Sequence, residues 1–150
     1  MALRSTTIAN SAQITGTATN DNAAAGYIGQ YIESIITNAS ATAVSSSGVA
    51  QNLTSISLTA GDWDVSGLIG GSPSISSTQM IGGISTTTGT QPAVELQTFE
   101  FYAAAAGRTS VALPRIRISI AATTTVYAVL TFTFTGTATM YGFINARRVR

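Results

Sequence analysis

The sequence predicts an all-β protein, an eight- to nine-stranded antiparallel jelly-roll sandwich over residues 27–150 with an extended N-terminal arm over residues 1–26. Three observations predict it. Apolar side chains recur with a period of two, as they do in strands with one buried face. Gly-, Ser- and Pro-bearing turn signals interrupt these runs at short intervals, a spacing that favours sandwiches. The runs themselves are built from Thr, Val, Ile, Phe and Tyr, which suit a pleated surface.

Residues 1–26 carry few large apolar side chains, and Asn20-Asp21-Asn22 followed by three Ala and Gly26 reads as loop. Such a segment orders only when packed on something. Strands are then expected near 30–37, 41–45, 51–58, 62–70, 78–85, 94–102, 109–120, 125–135 and 138–149. Ile56 and Leu58 oppose Ser55 and Ser57. Trp63, Val65, Gly67 and Ile69 oppose Asp62, Asp64 and Ser66. Val94, Leu96 and Thr98 alternate with Glu95, Gln97 and Phe99, and Ile116, Ile118 and Ile120 with Arg115, Arg117 and Ser119. The cleanest run sets Val126, Ala128, Leu130, Phe132 and Phe134 against Tyr127, Val129, Thr131, Thr133 and Thr135. Gly70-Gly71 and Gly82-Gly83 read as turn or bulge glycines and match no phosphate-binding loop. Ala103 to Ala106 is the one helix-prone stretch, a single turn at most.

This pattern places Trp63, Val65, Leu130, Phe132 and Phe134 in the core. Two strands carry large residues on both faces: Tyr127 and Val129 on one, Tyr141 and Phe143 on the other. A sandwich strand needs only one buried face. The second face is expected at a contact between subunits, where aromatic residues are enriched, and Arg147 is expected with it. A larger loop packing over that face is the alternative.

Composition narrows the function. The chain has no Cys, His or Lys. That removes disulfides, thiolate nucleophiles and Cys-based zinc sites, the usual general base, and lysine Schiff-base chemistry. No cofactor and no metal is expected, and no catalytic residue. Only 9% of residues are charged, against roughly 25% in average soluble proteins. Yet apolar residues make up 45% and are periodic, which separates the chain from disordered sequences. Few charges suit a surface that meets other subunits. Met-Ala-Leu-Arg-Ser is followed by no apolar run of the secretory type. Ile116 to Phe134 is too broken by Thr and Ser for a membrane helix, so no membrane partner is expected.

Charge is segregated along the chain. Up to Gly107 there is one Arg and all six acids, a net −5; from Arg108 onward there are six Arg and no acid, a net +6. This split points to a basic surface or to acid–base pairing between segments, and we read it as glue between subunits or copies more than as a nucleic-acid footprint. Arg147-Arg148-Val149-Arg150 with Arg108, Arg115 and Arg117 lacks the aromatic interleaving of an RNA-binding motif, so no nucleic acid is expected. Asp62 and Asp64 flank Trp63. A glycosidase or Ca²⁺ pair is conceivable from their spacing, but a solvated outer face opposite a core Trp63 accounts for them.

Three segments resemble bacteriophage tail-fibre and virion structural proteins: Thr19 to Glu33, the run Asn52 to Gly67 with its Gly-Asp-Trp-Asp-Val-Ser-Gly core, and the ending Gly142 to Arg150. The resemblance implies a phage particle component built on a jelly roll, often trimeric and similar in outline to the C1q and tumour-necrosis-factor heads. Its location would be the virion, after assembly in the host cytoplasm. Only about 26 residues precede the domain, where long fibres would carry a shaft, so a separate subunit is expected. The function expected is a non-enzymatic capsid decoration or cement protein, a homotrimer bound to phage capsid or tail proteins. The alternative is the tip of a tail or head fibre that binds a host surface glycan through loops near Thr86 to Pro92 or Ser45 to Gly48.

Overall fold

The computed structural model describes residues 22–150, with the backbone alone over 102–105. Nine strands form: β1 (Tyr31–Ile36), β2 (Thr42–Ala43), β3 (Ala50–Leu58), β4 (Gly61–Pro73), β5 (Ser76–Ser85), β6 (Gln97–Ala105), β7 (Thr109–Ile120), β8 (Thr124–Thr135) and β9 (Ala138–Arg148). One sheet runs β1-β9-β4-β7, with β2 also pairing β9; the other runs β3-β8-β5-β6. Every pairing is antiparallel. The pairs β5·β6, β4·β7, β3·β8 and β1·β9 nest inside one another along the chain. They make one long hairpin, and the pairings β4·β9 and β5·β8 sew it into two packed sheets. That is the jelly roll. We call the two sheets the β4 sheet and the β8 sheet.

The inward faces follow the period-two pattern. Trp63, Val65 and Ile69 from β4, Ile144 and Ala146 from β9, and Val126, Ala128, Leu130 and Phe132 from β8 are all essentially excluded from solvent. Phe134 sits at the end of this cluster, partly buried, its ring centroid 5.6 Å from that of Phe132. Buried apolar area of this kind is the main stabilising contribution, about 25 cal/mol per Å². The expected arm, 1–26, lies outside the described residues up to Asp21. Asn22 is tied to the outer edge of β1: its side-chain amide donates to the Tyr31 carbonyl at 2.6 Å, and the Tyr31 N–H donates to Asn22 Oδ1 at 2.7 Å.

Four local expectations are corrected. Val94–Leu96 is a 3₁₀ turn, closed by the Leu96 N–H on the Ala93 carbonyl, so the strand expected from 94 starts at Gln97. Ala104 and Ala105 pair with Ser77 and Ser76 in β6 rather than forming a helical turn, because cross-strand pairing overrides weak local preference. Gly70-Gly71 and Gly82-Gly83 lie inside β4 and β5, and the turn that joins these strands is at Ser74 and Ile75. These glycines make room. A Cβ on Gly70 would stand 2.4 Å from the Tyr141 ring, and one on Gly71 2.6 Å from the Phe132 ring. Added carbons at Gly82 and Gly83 would strike Ile69 and Pro92. The last correction concerns Val129. It is fully buried within one chain and offers nothing to a second subunit. Its ladder partner Gly83 lies beneath Pro92, and Gln91 Nε2 donates to Thr131 Oγ1 and to the Ile81 carbonyl. The loop before β6 thus covers this part of the β8 sheet, as the alternative reading held.

Candidate functional site

The outer face of the β4 sheet gathers most of the charged side chains. Register aligns them in rows across the strands. Tyr31, Arg147, Asp64 and Arg117 form one row, and Glu33, Asn145 and Ser66 the next. Further along, Ile35, Phe143, Leu68 and Ala112 make an apolar row. Tyr141 follows, lying over Gly70 and donating its hydroxyl to the Thr109 carbonyl at 3.0 Å. Arg115, two residues from Arg117 in β7, shares its outward face and lies beside Asp64.

The segregated charges meet here within one chain. Arg115 pairs with Asp64. Arg117 grips both oxygens of Asp62, Nε at 2.7 Å from Oδ1 and Nη2 at 2.6 Å from Oδ2, and Arg150 Nε reaches Oδ2 at 2.7 Å. The sign split is therefore spent partly inside the fold, which corrects the reading of it as glue between copies. Asp62 is not the solvated residue expected: its side chain is 6% exposed beneath the two arginines. The Arg117 hydrogen bond, opposed by desolvation and aided by Arg150, lowers its pKa to about 2. A carboxylate held ionised this way suits structure and not proton transfer.

Arg148 also departs from expectation. It is buried, not part of a basic surface patch. Its register follows Ile144 and Ala146 onto the inner face, where the guanidinium lies over Trp63 and donates to Gln30 Oε1, the Ala60 carbonyl and Thr59 Oγ1. Sequence reasoning missed this residue, although its parity with Ile144 carried the signal.

The structure divides the residues expected at a subunit contact. Tyr141, Phe143 and Arg147 share the outer face of the β4 sheet, while Tyr127 lies on the outer face of the β8 sheet, half-buried. They cannot form one patch on one protomer. Apolar side chains that sequence reasoning did not single out are more exposed: Phe101 at 73%, Ile35 at 52%, with Phe99, Val94 and Ile75 also open to solvent. Phe99 and Phe101 pair with Ile81 and Gln79 on the outer face of the β8 sheet.

Between the polar rows of the β4 sheet lies a shallow depression of about 280 Å³, lined by Tyr31, Asp64, Ser66, Arg115, Asn145 and Arg147. Its floor is short side chains, Ser66 and Asn145, and its walls are long ones. Among the described residues no group of three or more acidic side chains is placed to hold a metal ion.

No protein-family model matches the sequence, and no curated protein matches it. Among solved structures the chain is similar to one in the structure of infectious bursal disease virus Gx strain, with 14% identity and a TM-score of 0.43. The similarity covers 81% of this chain and 33% of that one, so this chain spans about a third of its length.

Proposed function

We propose that the chain is a non-enzymatic structural protein of a bacteriophage particle, a capsid decoration or cement subunit that assembles as a homotrimer on the exterior. The observation that carries this reading is a jelly roll whose apolar side chains continue onto both outer faces, with Phe101 and Ile35 more than half exposed. Contiguous exposed apolar surface marks contact with another macromolecule. The sequence resemblance to virion structural proteins supports the same reading.

In this mechanism the apolar row Ile35, Phe143 and Leu68, with Tyr141, meets one neighbour, and the Phe99–Phe101 side of the β8 sheet meets another. Two different patches on each protomer give a head-to-tail contact, which closes into a ring when the rotation allows. Arg147 stands about 13 Å from Phe143 along β9, at the polar end of the face. Asn22 is tied to the β1 edge, and the N-terminal arm is proposed to contact capsid subunits or a neighbouring copy. Many copies then turn modest contacts into firm attachment.

Imaging of particles with and without the protein, together with their heat and pressure resistance, tests this. Loss of resistance on stripping is the expected result, and full resistance without the protein would refute the cement role. A second reading, a fibre tip that binds a host surface glycan through the Thr86–Pro92 loop, is favoured by one observation. Asn52 holds that loop in place, accepting from the Gly89 N–H at 2.7 Å and donating to Thr88 Oγ1 at 2.7 Å. Adsorption to host cells, blocked by added protein, is expected of the tip and not of a cement protein.

A further inference from the structure

We propose that the depression between Tyr31, Arg147 and Arg115 binds a carboxylated sugar, one acidic ring of a glycan. The inference starts from what the lining has left to offer. Asp64 is engaged by Arg115. Ser66 Oγ donates to Asn145 Oδ1 at 2.8 Å, which engages the amide oxygen, while its NH₂ has no hydrogen-bond partner among the described residues. Arg147 makes no hydrogen bond or ion pair among the described residues, and its guanidinium carries five N–H donors. Apart from the second oxygen of Asp64, the unspent capacity of the site is thus donors: an amide NH₂ on the floor and a free guanidinium in the wall. Two arginines against one aspartate leave the lining at a net +1. A guanidinium fork matches a carboxylate in two parallel hydrogen bonds, so the group that answers these donors is an anionic acceptor of that shape.

Size then chooses among carboxylates. The depression holds about 280 Å³, roughly nine times the volume share of a liquid water molecule. A lone acidic side chain from a neighbouring protein would leave most of it wet. A sugar ring with its carboxylate fills it, sets hydroxyls against Ser66 and Arg115, and lays an apolar face on the Tyr31 ring. Tyr31 is held for this by its hydroxyl, which donates to Glu33 Oε1 at 2.8 Å. The site lies on the sheet face, away from the Thr86–Pro92 and Ser45–Gly48 loops, and the inference does not rest on the cement reading.

The test is a titration of the full chain, followed by chemical-shift changes. The probes are glucuronic acid and N-acetylneuraminic acid, with N-acetylglucosamine and a glutamate-containing tripeptide for comparison. Saturable binding of an acidic sugar is expected, with a Kd on the order of millimolar, and no binding of the neutral sugar or the peptide. Arg147→Ala should weaken it by about tenfold or more, the worth of a charge-assisted pair. Asn145→Asp, which keeps the shape, replaces the amide donor and adds a negative charge at the floor, should abolish it. Both variants should retain the urea midpoint of the parent, because Arg147 is exposed and Asn145 half-buried. Absence of binding up to about 50 mM, far beyond a millimolar Kd, would overturn the proposal. So would equal binding of the neutral sugar, or binding unchanged in both variants. Equal binding of the tripeptide would replace the sugar by a partner protein's carboxylate. None of these failures touches the cement reading, which is decided on particles.

Discussion

Arg148 stacks on Trp63 across the β4·β9 pair, its guanidinium carbon 4.2 Å from the ring centroid. A buried cation without a carboxylate partner is costly unless its donors are met. Here Gln30, Ala60 and Thr59 supply neutral acceptors, and the Trp63 ring supplies its negative face. Trp63 in turn donates its indole N–H to the Thr59 carbonyl at 3.0 Å. The cluster ties β4, β9 and the segment before β1 together at one end of the sandwich.

Arg148→Ala is therefore expected to destabilise the fold by about 3 kcal/mol, since it takes the guanidinium donor from the Ala60 carbonyl and Thr59 Oγ1, leaves Gln30 Oε1 only the Gly26 N–H, and uncovers the ring. Arg148→Lys keeps the charge but not the planar fork, and should cost about 1–2 kcal/mol. Urea denaturation with the slope held constant reads both. A midpoint unchanged in Arg148→Ala would mean that the cluster is dispensable.

Gly61 is the companion of that cluster. Its φ of +146° is open to glycine and strained for other residues, and a Cβ there would stand 1.9 Å from Arg148 Nη1. Gly61→Ala should destabilise by about 2–3 kcal/mol. In combination with Arg148→Ala the loss should be less than the sum, because the second change removes the clash. Additive losses in a double-mutant cycle would separate the two residues.

Acid should unfold the protein partly through Asp62. Its carboxyl is held at about 2 in the fold, from an ordinary 3.8, first by the Arg117 hydrogen bond and then by Arg150. A depressed folded-state pKa contributes stability above the unfolded value and loses it as pH falls through the folded one. Stability is thus expected to drop between about pH 4 and pH 2. Asp62→Asn should lower stability at pH 7 and flatten this slope. A slope identical in the variant would assign the acid sensitivity to another group.

The strands were legible in the sequence because each buries one face. The alternation of Trp63, Val65 and Ile69 with Asp62, Asp64 and Ser66 is the alternation of inside and outside. Where one residue type serves two purposes, the reading failed. Gly70 and Gly71 look like a turn, yet they are gaps for the rings of Tyr141 and Phe132, which lie some seventy and sixty residues away in the chain. Val129 looks like a second apolar face because the loop that covers it is remote in sequence. Arg148 was hidden among neighbours of the same type, and only its parity with Ile144 distinguished it from Arg147. The depression joins Tyr31 of β1, Asp64 and Ser66 of β4, Arg115 of β7, and Asn145 and Arg147 of β9. Strand alternation shows which of these residues face outward, but not that these four strands lie side by side, which long-range pairing decides.

Assembly should depend on the exposed apolar residues more than on Tyr127, which is half-buried. Phe101→Ser removes the most exposed large ring, and Ile35→Ser the opposite patch. Each substitution should leave monomer stability within about 0.5 kcal/mol, as surface changes generally do. Each should also shift the oligomer toward monomer in sedimentation at matched concentration. Because a head-to-tail contact joins one patch to the other, the two variants mixed together cannot form closed rings, yet each retains one intact patch. Phe101→Ser supplies a sound Ile35 side and Ile35→Ser a sound Phe101 side. The mixture should therefore yield heterodimers that neither variant forms alone. Self-pairing of like patches predicts the opposite outcome: each variant alone would still dimerise through its intact patch, and mixing would add nothing.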